Sequence, residues 1–413
     1  MGYIVAGIDI HKKVLMVVAV DAAAEELCFE SFRCGTTAAE REQLVAWLQK
    51  RQVQELVMES TAQYWKPVWM ELEPHFGQGK LHLAQAHSNR APKGRKHDFA
   101  DARRLTRRLL AGELILSFVP DAEQRGWRTM TRARVQLVGD RVRLQNQLEA
   151  LLEEMRIKLS SVVSELLGLS ARRILRAMAQ GESDPAKLAE LGDFRLRCSP
   201  EQLAEALRGQ VAPMHRQLLA LFLERLDVLD RQIHCLETMA AGAMKPYEDA
   251  WIRLAGVAGF GPESAQQILA EVGPEARAFD SPARLASWVG CCPGRSESAE
   301  QNHSSRSPKG NRFVRRILTQ AAQAAVRKKG SFWQHTFRRW LPKLGYQRAI
   351  WAVAHKLCRL VWKVLHERIH YIEKGEESSP KAKQQKAQKM IRALRRMGFA
   401  VQISSLSPTL PSG

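Results

Sequence analysis

Four carboxylate residues have the types and the spacing of a divalent-metal site. Asp9 lies inside an apolar segment, where a charged side chain costs free energy unless it is paired or binds a metal. Glu59 ends a later apolar segment, and Asp98 and Asp101 are three residues apart, so that in a helix they share one face. Oxygen ligands of this kind suit Mg²⁺ or Mn²⁺. Two such ions about 4 Å apart would activate the attacking oxygen and stabilise the leaving oxygen of a phosphodiester.

Each of the three later carboxylates also has a structural interpretation. Asp98 is a residue type common at helix N-caps, and Asp101 could pair with Arg104 or Arg108. Glu59 could be an ordinary residue at a strand end. The joint placement of the three around the carboxylate of the first apolar segment favours the metal site.

The elements that must position these residues follow the order of the ribonuclease-H-like α/β fold. The apolar and helical patterns predict three strands, a helix, a strand, a helix, a strand and a helix, and the short connections predict an antiparallel meander for the first three strands. In such a fold the first strand, the fourth strand and the last helix converge on one edge. The predicted strands are 3–10, 14–20, 26–34, 55–58 and 81–86, and the predicted helices are 37–51, 63–76 and 98–110.

The rest of the chain has a mostly helical pattern. Residues 121–168 contain no proline and have leucines at helical spacing, which predicts a long helix. This helix is expected to form either a coiled-coil arm or an ordinary helical hairpin. More helices are predicted over 170–236, and a compact region over 251–316. A possible helix lies at 386–397, in a tail expected to be mobile.

The basic excess of the chain is confined to its last quarter. The net charge is +20 and the isoelectric point is near 10.0. Residues 301–413 contain 24 Lys and Arg against four Asp and Glu, whereas the first 300 residues contain 39 of each sign. A solvated surface would not need such segregation, which favours a nucleic-acid-binding region at this end. The tryptophans of this segment have a spacing that favours a helix core over base stacking: Trp333, Trp340, Trp351 and Trp362.

Several protein classes are disfavoured by composition. The seven cysteines form no Cys-x-x-Cys pair, so neither a zinc ribbon nor a thioredoxin motif is indicated. Scattered cysteines without a secretory signal predict a reducing cytoplasm. No apolar run reaches about 18 residues, so no transmembrane helix and no membrane partner are predicted. Residues 366–370 fit the HExxH zinc-protease motif, but no third ligand follows at the usual distance, so a chance match is predicted.

Two segments with glycine and proline could take part in the chemistry, one by binding phosphate and one by carrying a serine nucleophile. Residues 256–268 are similar to a helix-hairpin-helix, in which glycines allow a tight turn and free N–H groups at a helix start can bind phosphate. Further on, a polar loop precedes Lys-Gly-Asn-Arg at 309–312. The residue types do not distinguish among its serines as nucleophiles, and no adjacent His-Asp pair would activate one. If the loop folds over the acidic site, a metal could activate it instead. These serines are Ser296, Ser298, Ser304, Ser305 and Ser307.

Three N-terminal blocks resemble those of the DEDD transposases of the insertion sequence 110 family, which includes bridge-RNA-guided recombinases. The blocks are Gly-Ile-Asp-Ile-His-Lys at 7–12, Met-Glu-Ser-Thr at 58–61 and Lys-His-Asp-Phe-Ala-Asp-Ala at 96–102. The resemblance implies a RuvC-like fold in which four catalytic residues hold the metal: Asp9, Glu59, Asp98 and Asp101.

A fourth block, at 287–300 and 308–318, looks like the C-terminal catalytic block of the same family. Alignment on the proline at 293 and on Lys-Gly-Asn at 309–311 implies that Ser298 is the nucleophile. The serine is followed here by Ala-Glu-Gln, where the family often has a glycine and a lysine. The resemblance covers 3–115 and 251–326 well and 127–150 loosely.

The resemblance implies a transposase that cuts and rejoins DNA through metal-assisted attack of Ser298 on a phosphodiester. It also implies a structured guide RNA, dimers that pair into a tetramer, and a prokaryotic cytoplasm, with the protein on the nucleoid when it binds DNA. Two alternatives stay open: a metal-dependent nuclease or Holliday-junction resolvase in which water attacks, and an inactive DNA- or RNA-binding protein. The residues expected to contact nucleic acid follow the serine loop: Lys309, Asn311, Arg312, Arg315 and Arg316.

The expected fold class is α/β plus α, in five regions. A RuvC-like metal domain over 1–118 precedes a helical or coiled-coil region over 119–245. A mostly helical, serine-bearing transposase domain with the helix-hairpin-helix-like element follows over 246–330. A basic helical extension over 331–377 and a basic tail over 378–413 complete the chain.

Overall fold

The computed structural model divides the chain into two compact units, Met1–Asp121 and Ala122–Gly413. The structure describes residues 2–60, 62–77, 79–86, 99–292, 296–298, 301–304, 307–373, 388, 390–392, 394–397 and 400, and of 296–298 and 301–304 it describes the backbone.

The first unit is built on a mixed five-stranded sheet. Strands β1 (Ile4–Ile10), β2 (Leu15–Asp21) and β3 (Phe29–Cys34) form an antiparallel meander through short connections. Strands β4 (Glu55–Glu59) and β5 (Leu81–Ala84) add in parallel beside β1, so that the sheet order is β3-β2-β1-β4-β5. The element order is the predicted one. The first four helices are α1 (Ala38–Lys50), α2 (Trp65–Leu72), α3 (Ala100–Leu110) and, in the second unit, α4 (Ala122–Glu154).

Helices cover both faces of this sheet, which explains the continuous apolar runs of β1 and β2. Helices α1 and α2 pack on the face that carries Ile8. The opposite face belongs to α3, whose Ala102 packs against Met16 and Val18. The helix predicted to open at Asp98 begins at Ala100, and Asp98 lies outside the described residues.

The contact between α3 and β1 depends on the absence of a side chain at Gly7. A Cβ atom at this position would lie 2.5 Å from the Thr106 hydroxyl and 2.6 Å from the Ala102 carbonyl oxygen. The Thr106 hydroxyl is buried and donates a hydrogen bond to that carbonyl at 2.9 Å. Glycine therefore allows the backbone of α3 to lie directly on the strand.

The second unit begins with two long helices that pack antiparallel. Helix α4 ends at Glu154 and not near residue 168 as predicted, because Arg156 turns the backbone to a φ of +60°. After α5 (Leu159–Val162), α6 (Leu169–Gln180), α7 (Pro185–Glu190) and α8 (Pro200–Ala206), α9 (Pro213–Ala243) runs back along it. The ion pair of Arg141 with Asp230, at 2.9 Å, ties the two helices together. The long helix predicted within 121–168 is observed as α4, and its antiparallel partner α9 lies outside that segment.

The remaining helices share one apolar core. They are α10 (Glu248–Ala255), α11 (Pro262–Val272), α12 (Pro282–Val289), α13 (Arg312–Arg327), α14 (Phe332–Leu344) and α15 (Tyr346–His366). A hairpin of β6 (Ser296–Ser298) and β7 (Gln301–Ser304) lies between α12 and α13. Residues 388, 390–392 and 394–396 are helical, within the helix predicted for 386–397. No helix of the described residues is long and apolar enough to cross a membrane.

Two expectations for the C-terminal helices are confirmed. Trp333 and Trp362 are core residues, 3% and 8% exposed, and Trp340 and Trp351 are partly buried against the same core. Helix α15 ends at His366, so the two histidines of the HExxH match do not share a helix, and the zinc-protease interpretation fails.

A buried carboxylate joins three helices of the second unit. Glu271, 1% exposed near the end of α11, accepts two hydrogen bonds from Arg132 of α4, at 2.7 and 2.8 Å. Its Oε2 also accepts one from Asn311 Nδ2 at 2.8 Å, directly before α13. The Arg128 guanidinium lies 3.6 Å away. Bidentate pairing of this kind offsets the cost of burying the charge.

Gly7→Ala is expected to lower the free energy of unfolding of the first unit by roughly 1–3 kcal/mol, because α3 must move off β1. Urea unfolding followed by circular dichroism measures this. Gly77→Ala is the matched control, since a Cβ there meets open space, and it should change stability by less than about 0.5 kcal/mol. Equal effects of the two substitutions would contradict the close-packing argument.

Glu271→Gln is expected to destabilise the second unit by about 3 kcal/mol, because the buried position loses the charge that pairs with two arginines, Arg128 (12% exposed) and Arg132 (37% exposed). The control is Glu263→Gln, whose carboxylate is 61% exposed and pairs with Arg134, and which should cost less than about 1 kcal/mol. Thermal unfolding of both variants measures the difference. A loss at Glu271 no larger than that at Glu263 would show that the buried network is dispensable.

Candidate active site

Two of the four predicted metal ligands lie side by side on the sheet. β1 and β4 are parallel, with Ile8 opposite Met58, so that Asp9 and Glu59 follow at the same end. Side chains alternate along a strand, and Asp9 therefore shares the α3 face with Gly7. Asp9 is buried, at 9% exposed, and Glu59 is half-buried.

Helix α3 brings a third carboxylate and a cation to the same place. Arg104 Nη1 lies 3.1 Å from Asp101 Oδ1, and Arg104 Nη2 lies 3.8 Å from Glu59 Oε2. The predicted alternative partner of Asp101, Arg104, is therefore the observed one. The Nε and Nη1 atoms of this guanidinium are buried and make no hydrogen bond in the described part of the chain. On the strand side, His11 Nε2 lies 3.1 Å from Asp9 Oδ2.

The carboxylates of this cluster disfavour each other's charge. Burial raises the pKa of Asp9 above its usual range, and the negative charge of Asp101 raises it further, against the opposing effects of His11 and Arg104. Burial also raises the pKa of Glu59, and the charge of Asp9 adds to this, against the opposing effect of Arg104. Perturbed carboxylates that act on one another are typical of functional sites.

The chemistry of the donor set fits a divalent cation. Three carboxylates converge, two of them with raised pKa values, and a cation would relieve their repulsion. Within the described ranges, no three His, Cys, Asp or Glu side chains are arranged to hold an ion as they stand. The fourth predicted ligand, Asp98, lies outside the described residues.

The predicted nucleophile lies on a hairpin whose two ends are held together. Ser298 ends β6, and its backbone pairs with Gln301 of β7. The base of the loop is a close backbone contact, since Gly310, at a φ of +53°, packs so tightly that a Cβ there would collide with the Val289 carbonyl. Arg315 Nη1 donates to the carbonyls of Pro308 and of Gly290, the latter at 3.0 Å.

The structure places three of the five expected nucleic-acid contacts in intramolecular roles. Asn311 Oδ1 caps α13 by accepting from the amides at 313 and 314, at 2.9 and 3.2 Å. The Arg315 guanidinium lies 4.7 Å from the centroid of the Trp351 ring, and Arg316 Nη2 donates to Gln267 Oε1 at 3.0 Å. Lys309 and Arg312 are exposed.

The helix-hairpin-helix-like segment forms two packed helices. Helices α10 and α11 are joined by the turn at 256–261, in which Gly259 has a φ of +93° and lies against the backbone of Ala321 in α13. The amide of Gly261 donates to the Ser264 hydroxyl at 2.8 Å, in the first turn of α11. The turn therefore anchors α13, which follows the serine loop.

Two family models match separate parts of this chain. One describes transposases of the DEDD IS110 type and matches residues 6–157, which include the four carboxylates. The other describes transposases of the IS116/IS110/IS902 family and matches residues 253–337, which include Ser298. The chain belongs to this transposase family. A probable family 20 transposase of Pseudomonas aeruginosa is similar, with 27% identity over 375 residues, or 88% of this chain and 97% of that protein.

Membership of the transposase family confirms the resemblance predicted from the motifs, and it makes DNA the partner of this chain. Sequence reasoning did not predict that Arg104 contacts two carboxylates or that His11 contacts a third. The His11 signal was present in the Gly-Ile-Asp-Ile-His block, since a residue two positions along a strand shares its face. The contact of Arg104 with Glu59 depends on how α3 crosses the sheet, and the spacing of residues in the sequence does not predict that crossing.

Asp9→Asn is expected to stabilise the metal-free transposase at pH 7, by on the order of 1 kcal/mol, because it removes a disfavoured buried charge. The pKa of Asp9 is raised in the fold, so the folded chain binds more protons than the unfolded chain. Stability therefore falls as pH rises from the ordinary aspartate pKa through the raised pKa of the folded chain. The gain should therefore shrink toward pH 4, near the ordinary aspartate pKa.

Thermal unfolding in EDTA from pH 4 to pH 8 measures this effect. Glu42→Gln, on the exposed face of α1, is the control and should shift the melting temperature little at any of these values. An Asp9→Asn variant that is less stable than the parent at pH 7 would show that the charge is well compensated.

Proposed function

We propose that this transposase cuts and rejoins DNA by attack of Ser298 on a phosphodiester, assisted by Mg²⁺ or Mn²⁺ held by the four acidic residues. The observation that supports this most is the convergence of three carboxylates at one edge of the first sheet, with raised pKa values at two of them. The ligands are Asp9, Glu59, Asp98 and Asp101.

The topology of the first unit supports a ribonuclease-H-like, RuvC-like assignment. The meander β1-β2-β3 and the parallel strands β4 and β5 give the order β3-β2-β1-β4-β5, with α3 across β1. This arrangement presents the end of β1, the end of β4 and the start of α3 at one edge, as the sequence predicts.

A divalent cation bound to these carboxylates would offset negative charge on the phosphate and lower the pKa of an attacking oxygen. The residues of the chain set the geometry of the carboxylates. His11 orients the Asp9 carboxylate through its contact at 3.1 Å, and Arg104 limits the repulsion between Glu59 and Asp101. The buried strand β1 fixes the backbone of Asp9 on both sides.

In the proposed reaction the Ser298 Oγ forms a bond to phosphorus as the bond from phosphorus to a sugar oxygen breaks. The proton of the serine hydroxyl ends on that sugar oxygen, so that the step needs no other reactant. Attack of a sugar hydroxyl on the phosphoserine then rejoins a strand and restores the serine. Arg315 contributes by holding the two ends of the serine loop together.

We also propose a structured guide RNA, and dimers that pair into a tetramer, in a prokaryotic cytoplasm and on the nucleoid when DNA is bound. The excess of 20 positive charges in residues 301–413 supports an RNA partner in addition to DNA, since phosphate contacts dominate such affinities. The five proposed regions of the chain keep the boundaries given above.

The main alternative is a hydrolytic nuclease or junction resolvase, in which water attacks. Such an enzyme needs the carboxylate site of the first unit, but it leaves the serine block within 253–337 without a role. An inactive nucleic-acid-binding protein is a second alternative, and the intact carboxylates argue against it.

The test uses full-length protein, Mg²⁺, RNA flanking the gene and labelled DNA of the element junction. The measured product is a protein–DNA adduct that survives denaturation. Wild type and Ser296→Ala should form it, whereas Ser298→Ala and Asp9→Asn should lose it by roughly 1000-fold or more. Ser296 is the matched control because it lies on the same strand, β6.

Each outcome assigns the nucleophile. Cleavage by Ser298→Ala without an adduct, together with inactivity of Asp9→Asn, would replace the serine mechanism with hydrolysis. Loss of the adduct in Ser296→Ala but not in Ser298→Ala would assign the attack to the other serine. Full adduct formation in the presence of EDTA would show that the reaction does not need a divalent metal ion, and it would contradict that part of the proposal.

A further inference from the structure

A pocket of about 490 Å³ in the second unit combines aromatic rings with cations. Its walls come from the start of α14, from one face of α15 and from the segment that follows α15. We call it the α14/α15 pocket. Its lining residues include Phe332, Trp333, Lys356, Arg359, Lys363 and Tyr371.

Three cations line the α14/α15 pocket, and among the described residues they form no ion pair. Lys356, Arg359 and Lys363 lie at positions i, i+3 and i+7 of α15 and therefore share one helix face. Helix α15 contains no Asp or Glu. None of the three cations forms an ion pair with a carboxylate in the described part of the chain. A charged helix face usually carries both positive and negative side chains. The face with Lys356, Arg359 and Lys363 carries positive ones, which favours an anionic ligand.

The geometry keeps a positive charge beside the rings. Lys356 Nζ lies 5.3 Å from the centroid of the Phe332 ring and 5.4 Å from that of Trp340, within the range of a cation–π contact. Burial lowers the pKa of Lys356, and the charges of Arg339 and Arg359 lower it further. An anion in the pocket would relieve this repulsion.

Three of the residues that line the pocket are aromatic and contact one another. Trp333 and Tyr371 are stacked, with centroids 6.3 Å apart and planes at 30°, and Phe332 meets Trp333 edge-on at 5.2 Å. The carboxylate of Glu373 accepts hydrogen bonds from the amide of Phe332 and from the hydroxyl of Tyr371, both neutral donors. These hydrogen bonds hold Phe332 and Tyr371 in position, and the faces of their rings suit a flat apolar ligand.

We propose that the α14/α15 pocket binds an unpaired nucleotide, with its base against the Phe332 and Tyr371 rings and its phosphates against Lys356, Arg359 and Lys363. An unpaired nucleotide joins a flat ring to a phosphate, which is the combination that the pocket offers. Residues 378–413 of the chain are an unsuitable occupant, because they contain seven Lys and Arg and no Asp or Glu. This proposal does not depend on the metal or serine chemistry.

Site-specific cross-linking tests the location. Oligonucleotides with one 5-iodouracil, made as RNA, as single-stranded DNA and as the same DNA in a duplex, are irradiated with the full-length protein, and the modified residue is mapped by mass spectrometry. Single strands should cross-link at Phe332 or Tyr371, and the duplex should not. The RNA and DNA arms show which strand the pocket takes. Cross-links that map only outside the pocket would overturn the proposal.

Charge variants test the phosphate contacts. Lys356→Gln/Lys363→Gln should weaken single-strand binding roughly 10-fold at 150 mM salt and reduce the slope of log affinity against log salt by about 1.4, for two lost phosphate contacts. The control is Lys343→Gln/Arg348→Gln, which removes the same charge from exposed positions of α14 and α15. Equal losses in both pairs would show non-specific attraction and overturn the proposal.

A ring variant tests the base contact. Phe332→Leu should weaken binding of a natural oligonucleotide several-fold and leave binding of an abasic oligonucleotide unchanged, because only the base uses the ring. Melting temperatures of parent and variant confirm that both are folded. If the parent protein binds the abasic and the natural oligonucleotides equally well, the pocket binds phosphate without the base. That result would overturn the nucleotide assignment.

Discussion

The burial of like charges at the edge of the first sheet is the constraint on which the rest of this unit depends. Asp9 is 9% exposed, and its charge is disfavoured by burial and by Asp101. The fold offsets this cost in two ways: α3 packs directly on β1 at Gly7, and its Arg104 enters the cluster. The apolar layers on both faces then hold the carboxylates in place at the expense of stability, which is common at functional sites.

In the second unit, the charges that stabilise the fold lie apart from the cations that line the α14/α15 pocket. Glu271 contacts Arg128, Arg132 and Asn311, and it joins α4, α11 and the start of α13. The same network fixes the downstream end of the serine loop, because Asn311 caps α13. The cations of the α14/α15 pocket have no such partners in the described part of the chain, which is why they point to an external anion.

The sequence predicted the sheet better than it predicted the side-chain contacts. Short apolar segments predicted all five strands, and the meeting of Asp9 with Glu59 follows from the parallel register of β1 and β4. The end of α4 was missed because no glycine or proline marks Arg156, the residue at which the chain turns. The contacts of Asn311 and Arg315 within the chain were also missed. The sequence pattern of a polar or basic residue at a helix start is the same whether its side chain faces solvent or a neighbouring segment.

The uneven charge of the chain acquires a physical meaning once the helices are placed. Residues 312–366, which form α13, α14 and α15, contain thirteen Lys and Arg and no Asp or Glu. None of these thirteen forms an ion pair in the part of the chain that the structure describes, so their repulsion acts against the packing of one shared core. A polyanion that binds the folded state relieves that repulsion, and its binding energy adds to stability. If the phosphates of a nucleic acid bind this segment, as proposed, they supply that counter-charge, and the nucleic acid adds to what stabilises the C-terminal helices.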